Sequence, residues 1–262
     1  MLDIVKLLLI LWAAMSVIMA LFWYVQKVRS DASVVDVVWA FGMCGAALLF
    51  ALAADGAFAR RMLFLAIAGV WSLRLAFYLL FNRVVGKGED GRYRKLRADW
   101  GANAQRNFLI FFQMQALFVV LFAIPFGPVV FNIDPGLSAW SIAGACVGFG
   151  AIVGEAIADA QLARFRADPD NKGKTCRAGL WGYSRHPNYF FEWTHWFAYV
   201  LMGVGGPYWW LTWFGPAVMF LFLYRVTGIP FTEKQALASR GDDYREYQRT
   251  VSAFVPWVRK KY

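Results

Sequence analysis

Apolar blocks of about twenty residues, the length that crosses the hydrocarbon core of a bilayer, dominate this chain. Seven can be read, at roughly 4–25, 34–54, 60–82, 107–131, 138–162, 189–205 and 207–226. They account for a composition that is 60% hydrophobic and 18% aromatic, well above the half or so that is usual for a soluble domain. The first block is too long for a secretory leader, and no small-residue cleavage site precedes Gln26-Lys27, so it reads as a retained span. The expected fold class is all-α, a membrane bundle of seven helices forming one domain over residues 1–262.

The net charge of +10 first raises the possibility of nucleic acid. Its distribution points elsewhere. Seven basic residues lie between Arg83 and Arg106, and six between Arg164 and Arg185. Connections on the alternate side hold only Arg60 and Arg61. That alternation is the positive-inside pattern, and it predicts an outside N-terminus and a cytoplasmic C-terminus. Nucleic acid is not an expected partner. Cys44, Cys146 and Cys176 lack metal-ligand spacing, and there are only two histidines, so no metal site is expected.

The cytoplasmic segments 83–106, 163–188 and 227–262 are long for helix connections, as functional loops often are. The tail piece 232–249 is charged, with Gly241 as a break between two short helices. Span five carries Gly144, Gly148, Gly150 and Gly154. No strand precedes them and the spacing is wrong for a dinucleotide fingerprint. Small residues on an apolar helix let another helix approach closely, and that reading is preferred here.

Polar residues inside the apolar blocks are costly and usually face a cavity or a partner. They are Asp36, Arg74, Gln113, Gln115, Glu155, Asp159, Glu192 and His195. Internal pairing, with Arg74 as a counter-ion, would explain any one of them. The whole set calls for a wet cavity or a large polar ligand. Helical spacing sorts them: Glu155 and Asp159 share a face that continues to Arg166, while Asn188, Glu192 and His195 form one stripe beside Trp196. Asp36 and Trp39 stand three apart. Each stripe meets a basic loop, which predicts a polar pocket rimmed by arginine, a side chain suited to phosphate.

"AGLWGYSRHPNYFFEWTHW", "DDYREYQRTVSAFVPW", "VVDVVWAFG", "WSLRLAFYLLFNR" and "EDGRYRKLR" together resemble the membrane steroid 5-alpha-reductase superfamily, in particular its bacterial branch. The C-terminal part is shared more loosely with isoprenylcysteine carboxyl methyltransferases and sterol reductases. The resemblance implies a seven-span enzyme of the bacterial inner membrane that binds NADPH from the cytoplasmic side. It implies a cofactor site lined by Asn82, Asp159, Arg166, Asn188, Glu192 and Trp196, with His195 on the same stripe. Arg83 and Arg177 fall where phosphate contacts belong, and Tyr183, Arg185 and His186 are their neighbours. The implied substrate is a 3-oxo-delta-4 steroid or similar enone lipid entering from the bilayer, reduced by hydride at the beta carbon and a proton at the alpha carbon. Asp36, Trp39 and Gln113 are expected to line its site. Asp36 lies near the position of a Glu in the eukaryotic reductases, and Trp71 occupies the position of their Tyr, with Tyr78 two turns away. Asp36, Trp71 and Tyr78 are therefore the catalytic candidates. For Asp36 to donate to a carbonyl it would have to be protonated, which an apolar pocket would favour.

Two further functions fit parts of the sequence. An S-adenosylmethionine-dependent methyltransferase would share "SRHPNY" and the tail, but the arginines favour a phosphate-bearing cofactor. A lipid-binding or transport protein would also carry intramembrane charges, yet no inverted repeat or paired discontinuous span is present.

Overall fold

A computed structural model describes residues 1–133, 136–226 and 228–259. Thr227 and residues 260–262 of the expected tail segment lie outside the described residues. Among those described there is no strand, only an isolated bridge between Ser184 and Ser252. Ten helices run in the order α1 Leu2–Arg29, α2 Val34–Ala53, α3 Phe58–Leu79, α4 Gly91–Trp100, α5 Ala104–Ala123, α6 Phe126–Val130, α7 Ala139–Ala167, α8 Pro187–Met202, α9 Phe214–Leu221 and α10 Ile229–Thr250. The α3 helix passes into a π turn at Leu80–Val84, and α9 into another at Phe222–Val226.

Six helical stretches among the described residues are long and apolar enough to cross a membrane. They begin at Leu2, Val34, Phe58, Gly91, Ala139 and Trp209. In the fourth, α4 is charged and the apolar run starts with α5. In the last, the apolar run ends near Val226 and α10 is again charged. The expected sixth block is not among them. It forms α8, whose 16 residues span only about 24 Å at 1.5 Å per residue, against a hydrocarbon core of about 30 Å. Leu9, Trp12, Val17 and Leu21 of α1 are exposed, as lipid-facing side chains are on a membrane helix. This is an integral membrane protein.

The single domain expected over 1–262 contains two compact units. Unit 1 comprises Met1–Ser138 with Gly203–Thr212, and unit 2 comprises Ala139–Met202 with Trp213–Tyr262. In unit 1, α2 packs against α1, α3 and α5. Gly42 makes that possible: a Cβ there would lie 2.6 Å from the Met15 methyl and 3.2 Å from a Val119 methyl. Buried Ala46, Ala47, Phe50 and Ala51 continue the α2 interior.

Unit 2 is built on α7 against α8. The glycine pattern of α7 works as helix contact at two of its four positions. A Cβ on Gly144 would meet the Ala198 carbonyl oxygen at 2.7 Å and Met202 Cγ at 2.6 Å, and one on Gly154 would strike the Phe191 ring. Gly148 is buried, whereas Gly150 faces open space. The tail breaks at Gly241, where φ is +54°, as expected of a residue without a Cβ. Because the Gly144 contact is partly to backbone, it cannot yield by a rotamer change. Gly144→Leu should therefore destabilise unit 2 by about 1–3 kcal/mol, the usual cost of overpacking, while Gly150→Leu should be near neutral. Thermal unfolding of the two variants in the same detergent measures the difference.

Candidate active site

In unit 1, Asp36 stands in the first turn of α2. One of its oxygens accepts from Arg83 at 3.0 Å and from Arg92 at 2.8 Å, and the other accepts from the Tyr93 hydroxyl at 2.7 Å. Arg92 is held in place by Asp90, whose carboxylate also caps α4 through the Arg92 amide at 2.9 Å. The Asp90 amide in turn donates to Ser33 at 2.8 Å. The loop after α3 is thus tied to the start of α2 by charge.

The surroundings of Asp36 are two guanidinium groups and a phenol where an apolar pocket was expected. In the structure its carboxylate acts as an acceptor that positions these groups. It also accounts for Arg83, whose charge is directed at Asp36. Arg92 and Tyr93 lie within "EDGRYRKLR" but were not singled out from the sequence. The clue there was the Tyr93 position in a charged helix, since only tertiary structure shows that it is buried at 3% exposure.

Trp39 packs edge-on against Trp71, with ring centroids 6.5 Å apart, and against Phe122 at 5.7 Å. Trp71 is fully buried. Tyr78 packs with Trp39 around Val37, Ala40, Ala76 and Leu79. Asn82 is exposed, and its amide donates to the Tyr78 carbonyl at 2.8 Å. Gln113, expected to line the substrate site, donates to the Ser16 carbonyl at 3.1 Å. It ties α5 to α1, which is how an amide in an apolar helix satisfies itself.

In unit 2 the two predicted stripes meet. The Asn188 amide on α8 donates to Asp159 on α7 at 3.2 Å. Asp159 and Glu192 are each only 8% exposed, Glu155 6%, His195 1% and Trp196 0%. The His195 Nε2 lies 2.7 Å from the Tyr199 hydroxyl. Two helices therefore bring three carboxylates, an amide and an imidazole into an apolar interior, and Arg166 lies exposed in the last turn of the same α7.

Arg177, Tyr183, Arg185 and His186 have a different employment. The Arg185 Nε donates to Glu233 at 2.7 Å, and its Nη1 donates to the carbonyls of Gln248 and Val251 at 2.9 and 2.7 Å. The His186 Nε2 lies 3.3 Å from Glu233, and Gln248 donates to the other Glu233 oxygen at 2.7 Å. Ser184 donates to the Phe254 carbonyl, and the Trp257 amide to the Tyr183 carbonyl. Arg177 bridges Asp243 at 3.0 Å and Glu246 at 3.2 Å. These residues fasten the tail to the turn before α8. Arg177, expected at a phosphate, and its expected neighbour Arg185 both have protein carboxylates as partners in the structure. Glu233, the centre of the network, was missed because its partners lie some 48 residues away in sequence.

A family model described as "Protein of unknown function (DUF1295)" matches residues 22–251. The chain belongs to that family. No curated protein and no solved structure matches it. The match takes in the Asp36 cluster, both polar stripes and the Arg185–Glu233 fastening, so these features fall within the part of the chain that defines membership.

Burial alone would raise the Glu233 pKa. Hydrogen bonds from His186 and Arg185, the Arg185 charge and the Gln248 amide outweigh it and hold the carboxyl at about 2, below its ordinary 4.5. Burial pulls His186 below its ordinary value despite Glu233. The depressed carboxyl stabilises the fold fully above about pH 4.5, and that contribution disappears as pH falls toward 2. Glu233→Gln should lower stability at pH 7 by about 1–3 kcal/mol, the cost of leaving a charged donor without its acceptor. It should also flatten the loss of melting temperature between pH 4.5 and the acid limit. Thermal melts of both proteins across that range check this.

Proposed function

We propose that the protein is a membrane reductase that uses NADPH to reduce the conjugated carbon–carbon double bond of a 3-oxo-delta-4 steroid or similar enone lipid. The observation that carries this reading is the Asp159–Asn188 pair, set with Glu192, His195 and Trp196 in the apolar interior of α7 and α8. Buried polar groups of this number need a polar ligand or one another. Both donor and acceptor atoms are present, as a carboxamide-bearing ring requires. The sequence resemblance to steroid 5-alpha-reductases leads to the same cofactor.

NADPH supplies the hydride when bound. The residues of α7 and α8 bind and orient, and the apolar helices around them exclude water. Asn188 can donate and accept, and Asp159 fixes its amide. Hydride addition at the beta carbon leaves negative charge on the carbonyl oxygen, which needs a donor before the alpha carbon takes its proton. Trp71 is part of an aromatic cluster and is not a proton source. The distribution of basic residues supports a cytoplasmic cofactor side and an outside N-terminus. The substrate enters from the surrounding lipid, which would place the enzyme in a bacterial inner membrane.

The test is NADPH oxidation by the detergent-purified protein with progesterone, with the product identified by mass. The expected product is two mass units heavier and depends on NADPH. Asp159→Asn and Glu192→Gln should each weaken NADPH binding by about tenfold or more, the loss of one charge-assisted hydrogen bond. Binding of S-adenosylmethionine without any of NADPH would overturn the reading.

A further inference from the structure

Unit 2 has a concavity at the C-terminal end of α7. Its volume is about 640 Å³, and it is walled by the last turn of α7, the following loop and the Ser239-Arg240 step of α10. Four cations line it, Arg166, Lys172, Lys174 and Arg240, against one carboxylate, Asp168. That carboxylate is already engaged. One oxygen accepts from the Asp170 amide at 3.0 Å, and the other from the Asn171 side chain at 3.3 Å. The Asn171 side chain also donates to the Phe165 carbonyl at 3.1 Å, which pins the loop carrying the two lysines to α7.

Among the described residues none of these four cations forms an ion pair, whereas Arg177 and Arg185 nearby in sequence are paired with Asp243, Glu246 and Glu233. Arg240 is half-buried and lies over the Tyr244 ring at 4.8 Å. Its Nε is buried without a hydrogen-bond partner. Burial lowers its pKa and the like charge of Arg166 acts in the same direction, against Tyr244 and Asp243, which raise it. Two arginines line one cavity, and one of them has a buried donor without a partner. The guanidinium fork suits phosphate oxygens, and the lysines add point charges.

We propose that this cavity binds a phosphate group, gripped by Arg166 and Arg240 and drawn in by Lys172 and Lys174. A soluble phosphate ester and the headgroup of an anionic phospholipid present the same chemistry to it. The site shares only Arg166 with the reductase reading and stands if that reading fails.

The full-length protein in neutral detergent is titrated with inorganic pyrophosphate by calorimetry. In parallel, native mass spectrometry measures the phosphatidylglycerol it retains. Saturable pyrophosphate binding that weakens about tenfold in Arg240→Gln and in Lys172→Gln/Lys174→Gln supports a soluble ester. Retention of phosphatidylglycerol that the same variants reduce, without pyrophosphate binding, supports the headgroup. If neither ligand responds to the substitutions, the proposal is overturned. Arg240 covers Tyr244 and its loss could unfold the tail. Lys172 and Lys174 are exposed, so the double lysine variant keeps the test decisive.

Discussion

A carboxylate among apolar helices costs several kcal/mol unless its charge is matched, and the polar architecture of each unit follows from how that cost is met. At Asp36 the carboxylate accepts from Arg83 of the π turn after α3 and from Arg92 and Tyr93 of α4. At Glu233 the partners are Arg185, His186 and Gln248. Each network draws a charged segment onto the end of an apolar helix. The loops owe their positions to these few groups, since they have little apolar surface of their own to bury.

In the interior of α7 and α8, Asp159 accepts from the Asn188 amide, and Glu192 and His195 sit on the same face of α8. The glycines of α7 permit this arrangement, because Gly144 and Gly154 let α8 approach closely enough for Asn188 to reach Asp159. Close packing and polar chemistry in unit 2 therefore share one cause.

Much of this was legible before the structure. The helical blocks, the Gly241 break and the two stripes follow from period and length, which are local properties. The stripe residues Asp159, Asn188 and Glu192 are buried together as their spacing required. The partners of the charges were not legible. Nothing local in the sequence says that Arg185 reaches Glu233 or that Tyr93 reaches Asp36, for both contacts join residues about fifty positions apart. Gln113 makes a related point. An amide in an apolar helix signals a need for a partner, and here the Ser16 carbonyl of a neighbouring helix supplies one. The extent of the sixth block was not legible, because 16 helical residues followed by turns give the same apolar composition as a longer helix.

The same distinction governs how a basic rim should be read. Arginines clustered beside a polar pocket point to phosphate only if their charge is still on offer. Arg177 and Arg185 have spent theirs on Asp243, Glu246 and Glu233, and Arg83 has spent its own on Asp36. Subtracting these pairs from the rim leaves Arg166, and the structure adds Arg240, Lys172 and Lys174, which sequence spacing did not connect with it. Arg166 and Arg240 come from α7 and α10, some seventy residues apart, so their meeting is a property of the fold. Arg240 keeps a buried Nε without a hydrogen-bond partner, and Arg166, Lys172 and Lys174 line the same cavity. The residues still unpaired, and not the richest run of arginine, are the ones suited to a phosphate.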